Sequence, residues 1–293
     1  MNSKAYQIRK EFKANDDIRD AGLTTPEDIL RHDNILYGTD SQWQILDVYR
    51  PRNAAGKLPV LISVHGGAWV YGDKERYQYY CMNLAQKGFA VINYTYRLAP
   101  EHQFPAPMED LNLVVTWMLE HAQQHQLDTN NVFAVGDSAG AHILSLYICI
   151  CTNPEYATQY TIKSPIKSFR FNAIALNCGI YDIAQSDSSD MIAEYMPNRG
   201  SSEELELLAI PKHITSEFPP TFLMTSNEDF LRMQPAFMIR EFEKFHIPYV
   251  YHMYGTGDNP LSHVFHCDMY STDAAICNQD ECDFFYRFIN NHT

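Results

Sequence analysis

The chain has 293 residues, long enough for one large α/β domain with a cap or for two smaller domains. Hydrophobic residues make up 45% and charged residues 20%, which excludes a disordered or fibrous chain. With 22 Lys plus Arg against 36 Asp plus Glu, the formal charge of -14 makes nucleic acid and membrane surfaces poor partners.

In chain order, residues 1–35 read as helical and polar, and their opening MNSKAYQIRKEFKANDD lacks the apolar core of a signal peptide. Trp43–Tyr49 reads as a strand at one edge of a sheet. Short apolar runs then recur at Leu58–Val64, Phe89–Tyr94, Val132–Val135, Ala173–Asn177, Thr221–Thr225 and Pro248–Tyr254. Their length and β-branched or aromatic content suit strands buried on both faces of a parallel sheet. Between them come helical patterns. Glu75–Lys87 ends at Gly88, and Leu111, Val114, Val115, Met118 and Leu119 share one helix face. Gln234–Phe245 carries Pro235 in its first turn, and Asp280–Ile289 closes the chain. The alternation predicts a single α/β domain over 1–293, mostly parallel, with helices on both faces. Residues 182–218 interrupt the rhythm and, with 1–35, are expected to build a small cap. The longest largely apolar run, Ile143 to Cys151, is about half of the roughly 18 residues a membrane span needs. A cytoplasmic location is expected.

Seven cysteines, an odd number without regular spacing, fit neither a disulfide framework nor a CxxC zinc site. The 12 histidines form no HExxH or close His/Cys cluster. Neither a metal nor another cofactor is expected.

Two motifs carry chemistry. Gly136-Asp137-Ser138-Ala139-Gly140 follows a strand and opens a helix, the context of a G-x-S-x-G nucleophile elbow. The sharp turn needs small neighbours and presents Ser138 above the sheet, beside a helix N-terminus that favours developing negative charge. His65-Gly66-Gly67-Ala68-Trp69 follows an earlier strand. Adjacent glycines there can turn backbone amides towards an oxyanion, so Gly66 and Gly67, with Ala139, are the expected donors. His65 is expected to brace the loop, Asp137 to hydrogen-bond structurally, and His142 to be structural. A nucleophilic Ser needs a base, and the base needs an orienting carboxylate, in the chain order Ser, acid, His. After Thr221–Thr225 the candidates are Glu228 and Asp229; after Pro248–Tyr254 they are His263 and His266.

HGGAW paired with GDSAG, together with Tyr96-Arg97-Leu98-Ala99-Pro100-Glu101, resembles the hormone-sensitive-lipase-like branch of α/β-hydrolase serine esterases. The resemblance runs from about Leu46 to the C-terminus. It implies an α/β-hydrolase fold with a helical cap and hydrolysis of short-chain acyl esters without a cofactor. The family's apolar pair after the acid selects Asp229, followed by Phe230 and Leu231, and its H-x-F pattern selects His263, followed by Phe265. The implied triad is Ser138, Asp229 and His263. Ala68 stands where many members carry a third glycine. The HGGxW form keeps an arylformamidase-type amidase open, and a sugar-ester deacetylase or a non-catalytic small-molecule receptor on the same fold are further rivals. The expected partner is a small ester; a homodimer through a sheet edge or the cap is a matter of analogy with the fold.

Overall fold

A computed structural model describes residues 3–162, 169–186 and 189–290, so the tips of the expected 1–35 and 182–218 segments at 1–2 and 187–188 lie outside it. The helices are α1 (Lys4–Arg19), α2 (Lys74–Gln86), α3 (Ala106–Glu120), α4 (Ala139–Thr152), α5 (Pro154–Ala157), α6 (Ser189–Tyr195), α7 (Ser202–Leu208), α8 (Pro235–Phe245) and α9 (Thr272–Tyr286). The strands are β1 (Ile29–Leu36), β2 (Ile45–Pro51), β3 (Leu58–Val64), β4 (Ala90–Tyr94), β5 (Leu127–Asp137), β6 (Ala173–Asn177), β7 (Thr221–Ser226) and β8 (Tyr249–Tyr254). Among the described residues they form one sheet in the order β1-β2-β4-β3-β5-β6-β7-β8. β3 to β8 run parallel, whereas β1 and β2 are antiparallel to their neighbours. This is the expected mostly parallel sheet between helices.

The two-residue period of a strand divides the core into two. Val60, Ile62, Ile92, Ala134 and Leu223 pack with α3, α4 and α8 on one face. Leu61, Val91, Phe133, Val135 and Phe222 pack with α2 and α9 on the other. Strands covered on both sides leave their C-terminal ends as the place where loops gather, the usual site of function in an open α/β sheet.

Three expectations change. Residues 29–36 are a strand, not helix: ILRHDNIL is polar enough to hide it, and its pairing with β2 is irregular between His32 and Ile35, where Asn34 takes φ 57. Consequently β2 lies second in the sheet, and β1 takes the edge. At the opposite edge, β8 is not buried on both faces, since Tyr251 and Met253 are exposed. The closing helix also begins earlier than expected, at Thr272, where Ser271 Oγ accepts from the Ala274 N–H. No helix among the described residues is long and apolar enough to cross a membrane.

Candidate active site

β5 runs directly into α4 through Ser138, which takes φ 50 and ψ -118. That is a strained region for a residue with a Cβ, and its persistence requires surroundings that hold it. The Ser138 N–H donates to Asn177 O at 2.9 Å, tying the turn to β6. Gly140 allows close packing against the neighbouring strand end: a Cβ there would fall 2.0 Å from Val64 O. The elbow therefore presses against the loop that leaves β3.

That loop begins with His65, fully buried and stacked on Tyr96 with centroids 4.0 Å apart. Its Nδ1 lies 2.7 Å from Gly66 O, which assigns the proton to Nδ1. Burial lowers its pKa to about 4, against the carbonyl's opposing pull, so the ring stays neutral and braces the turn. Gly67, Ala68 and Trp69 follow with φ 116, 53 and 61. A Cβ on Gly67 would meet Tyr71 O at 2.1 Å, so only glycine fits there.

One expected donor already has partners within the protein. The Gly66 N–H is consumed within the protein, donating to Tyr77 Oη at 3.0 Å and Asp137 Oδ1 at 3.1 Å. The Gly67, Ala68 and Ala139 amides, on the two loops flanking the elbow, have no partner among the described residues. Ala68, treated in the sequence as a departure from a glycine, thus supplies the open amide that Gly66 does not. Asp137, next to Ser138 in sequence, points into this interior network; Tyr77 donates to its Oδ2 at 2.7 Å.

The structure brings Ser138, His263 and Asp229 together. His263 Nε2 lies 3.0 Å from Ser138 Oγ, and its Nδ1 lies 2.7 Å from Asp229 Oδ1. Asp229 also accepts from the Leu231 N–H at 2.8 Å and the Thr225 hydroxyl at 2.7 Å. Burial pushes its carboxyl up, but the hydrogen bond and charge of His263, with those two donors, outweigh burial and hold it below the usual range. It is the ionised partner that an imidazole needs to keep its tautomer. The alternatives are placed elsewhere. The Glu228 backbone N–H bonds to Leu261 O, while His266 is fully buried, its pKa lowered to about 3 by burial, with His263 nearby. His142 is likewise buried and bonds to Leu208 O at 3.2 Å.

Several contacts around the site were not legible in advance. Cys178, at the end of β6, is buried near the acid; its Sγ lies within 4.8 Å of ligand atoms of Asp229 and His263. This trio is the one described group close enough to ligate a metal, and two of its members already hold each other in the hydrogen-bonded chain. A second buried carboxyl, Glu281 of α9, accepts from Asn177 Nδ2 at 2.6 Å and Tyr80 Oη at 3.1 Å. α1 straps the β3 loop: Arg9 donates to Val70 O at 2.7 Å and Ala99 O at 2.8 Å and pairs with Glu101 at 2.6 Å. Tyr71 Oη donates to Asp16 at 2.7 Å. Asp16 carries no local sequence signal beyond being a polar residue in a polar helix; Thr225, four residues before the acid at a strand end, is the one a pattern could have found.

A protein-family model, BD-FAE, matches residues 46–234, more than half of the chain. The chain belongs to the BD-FAE family. Relatives of this BD-FAE chain include esterase LipC of Mycobacterium tuberculosis, 34% identical over 43% of the chain and 31% of LipC. Esterase LipQ of the same organism is 27% identical over 71% of the chain and 51% of LipQ. The chain thus spans only about a third to a half of the length of these curated relatives. Over nearly its whole length it is similar to the crystal structure of esterase B from Lactobacillus rhamnosis, inhibited by a C4-C4 sn3 tributyrin phosphonate. The TM-score is 0.88 at 27% identity, covering 97% of this chain and 94% of that one. A bacterial heroin esterase, at 20% identity and TM-score 0.78 over 98% and 93%, shares the fold. The BD-FAE chain has the α/β-hydrolase fold.

Proposed function

We propose that this BD-FAE chain is a serine carboxylesterase that hydrolyses short-chain acyl esters through Ser138, His263 and Asp229. The observation that carries the reading is the continuous chain of contacts from Ser138 Oγ to His263 at 3.0 Å and on to Asp229 at 2.7 Å. Likeness over nearly full length to an esterase inhibited by a tributyrin phosphonate supports the same chemistry.

In the first step His263 Nε2 takes the Ser138 proton as Oγ attacks the ester carbonyl carbon. The carbonyl oxygen becomes an oxyanion, received by the Gly67, Ala68 and Ala139 amides. His263 then delivers the proton to the alcohol oxygen as its bond to carbon breaks, leaving an acyl-serine. Water, deprotonated by the same imidazole, attacks the acyl carbon and restores Ser138 with release of the acid. Asp229 stays ionised throughout and stabilises the transient imidazolium. Three separate donors suit this cycle, because the loss of one oxyanion donor costs about 3 kcal/mol of transition-state stabilisation.

The test is Ser138→Ala. Turnover of p-nitrophenyl acetate should fall by about 10⁴ to 10⁶ with the thermal unfolding midpoint retained. A fluorophosphonate probe should label the wild type and not the variant. Ester turnover close to normal in the variant would overturn the reading.

A further inference from the structure

We propose that Phe230 and Met233 form the leaving-group subsite and select esters of bulky apolar or aromatic alcohols. This deepens the esterase reading and rests on it. The argument starts from which way a substrate must lie. The alcohol oxygen has to receive its proton from His263 Nε2, so it comes within roughly 3 Å of that atom at the moment of bond cleavage. Whatever is attached to that oxygen therefore leaves the site along the imidazole, whereas the acyl group, fixed by its carbonyl among the loop amides, extends away from it.

Beside the imidazole stands Phe230, with ring centroids 4.5 Å apart and the planes tilted by 48°. Phe230 is 69% exposed and Met233 is 71% exposed, among the most exposed large apolar side chains described. Exposure is not a sign of a loose loop here. Their neighbours Asp229, Leu231 and Gln234 are all buried, and the exposed Arg232 between them donates back to Asp229 O at 3.3 Å. Gln234 Oε1 accepts from the Tyr181 and Asp182 N–H groups, both at 2.9 Å, and its Nε2 donates to Asp182 O at 3.1 Å. These bonds fix the 229–234 loop against the segment after β6, and a groove opens between them with Met191 also on its wall. The loop is thus pinned at Asp229, Leu231 and Gln234 while two large apolar side chains are left to water.

Two apolar side chains held outward on the wall of one groove, one of them against the imidazole, mark a binding face. Their chemistry specifies the occupant. An aromatic face takes a flat ring in an offset or tilted arrangement, and a thioether adapts to apolar groups of different shape. Phe230 belongs both to the wall of this groove and to the ring contact with the imidazole that must protonate the alcohol, so the occupant is the alcohol portion of the substrate.

The experiment varies each half of the ester separately. One series keeps the acetyl group and changes the alcohol from methyl through butyl and phenyl to 2-naphthyl; the other keeps the alcohol and lengthens the acyl chain. The subsite predicts that the wild-type kcat/KM ratio of 2-naphthyl to methyl acetate falls about tenfold in Phe230→Ala, mainly through KM, a loss of about 1.4 kcal/mol of selective binding. Met233→Ser, which leaves the Phe230–His263 ring contact in place, should lower the same ratio in the same direction, and Phe230→Tyr should restore it. The acyl series should keep its shape in every variant. An unchanged alcohol ratio in both truncations, or a change confined to the acyl series, would overturn the subsite. Failure of the esterase reading looks different: Ser138→Ala would then turn over every ester as the wild type does.

Discussion

Two sets of buried carboxyls flank the nucleophile, and they meet opposite fates. In front, Asp229 is held below the usual carboxyl range despite burial, because His263 bonds to it directly and two further donors point at it. Behind, burial raises Asp137 to about 6, against Tyr77, the charge of His263 and the Gly66 amide. Glu281 is raised to about 7 by burial, with Asn177 and Tyr80 opposing and Asp137 adding to the rise. All three are buried acids with hydrogen-bond donors. What separates them is a directly bonded imidazole and a less deeply buried setting for Asp229; behind, hydroxyl and amide donors do not outweigh full desolvation. Nearness in sequence does not decide the matter, since Asp137 is the acid next to Ser138 and Asp229 is remote.

The contrast can be broken most sharply at its front. Asp229→Asn should lower kcat by about 10⁴ while leaving the unfolding midpoint nearly unchanged, because the amide keeps the shape and loses the tautomer control. A loss as small as that of a rear variant would remove the distinction. At the rear, Tyr77→Phe strips a hydroxyl that accepts from the Gly66 N–H and donates to Asp137. It should cost about 1–3 kcal/mol of stability in chemical denaturation, with a far smaller effect on kcat than the front variant. A weaker and graded effect lies in pH. Asp137 and Glu281 hold protons more tightly when folded than when unfolded, where they titrate near 3.8 and 4.5. Their stabilisation is complete below about pH 4 and is lost as pH rises through about 7; for Asp229 the sign reverses, its contribution being lost as pH falls through its depressed value. Unfolding of the Asp137→Asn, Glu281→Gln double variant, followed from pH 4 to 7, should show a flatter decline than the wild type. An identical slope would refute the assignment of raised pKa values. Smallest of all is Arg9→Ala, which loosens the strap on the β3 loop from outside. It should lower kcat by no more than about fivefold, with KM little changed, in keeping with a half-exposed ion pair worth no more than about 1 kcal/mol.

The parts legible in the sequence were those set by local extremes. Gly140 and Gly67 are required because a Cβ would collide with Val64 O or Tyr71 O, so the elbow and the β3 loop leave fixed residue patterns. Asp229 and His263 follow strand ends and keep the family's flanking apolar residues. What escaped depends on partners far apart in the chain. The Gly66 amide is lost to Asp137 and Tyr77, 71 and 11 residues away, and no motif records that a backbone donor is already engaged. Arg9 reaches Val70 and Ala99 from a helix whose own pattern is only polar. β1 hid for the opposite reason: lying at an edge, it needs apolar residues on little of its surface, and its irregular pairing removes the alternation that would reveal it.

The bond between the Asp137 side chain and the Gly66 amide joins the residue before the nucleophile to the residue before the Gly67–Ala68 amides. It acts as a gauge bar between two strand ends, so that Ser138 and the Gly67–Ala68 amides cannot drift apart independently. Segments bordering the groove lie outside that bond, so substitutions there would leave the spacing of Ser138 and the loop amides as it is. Diversity of substrate and constancy of chemistry would coexist in one chain because the measure of the centre is kept beneath it.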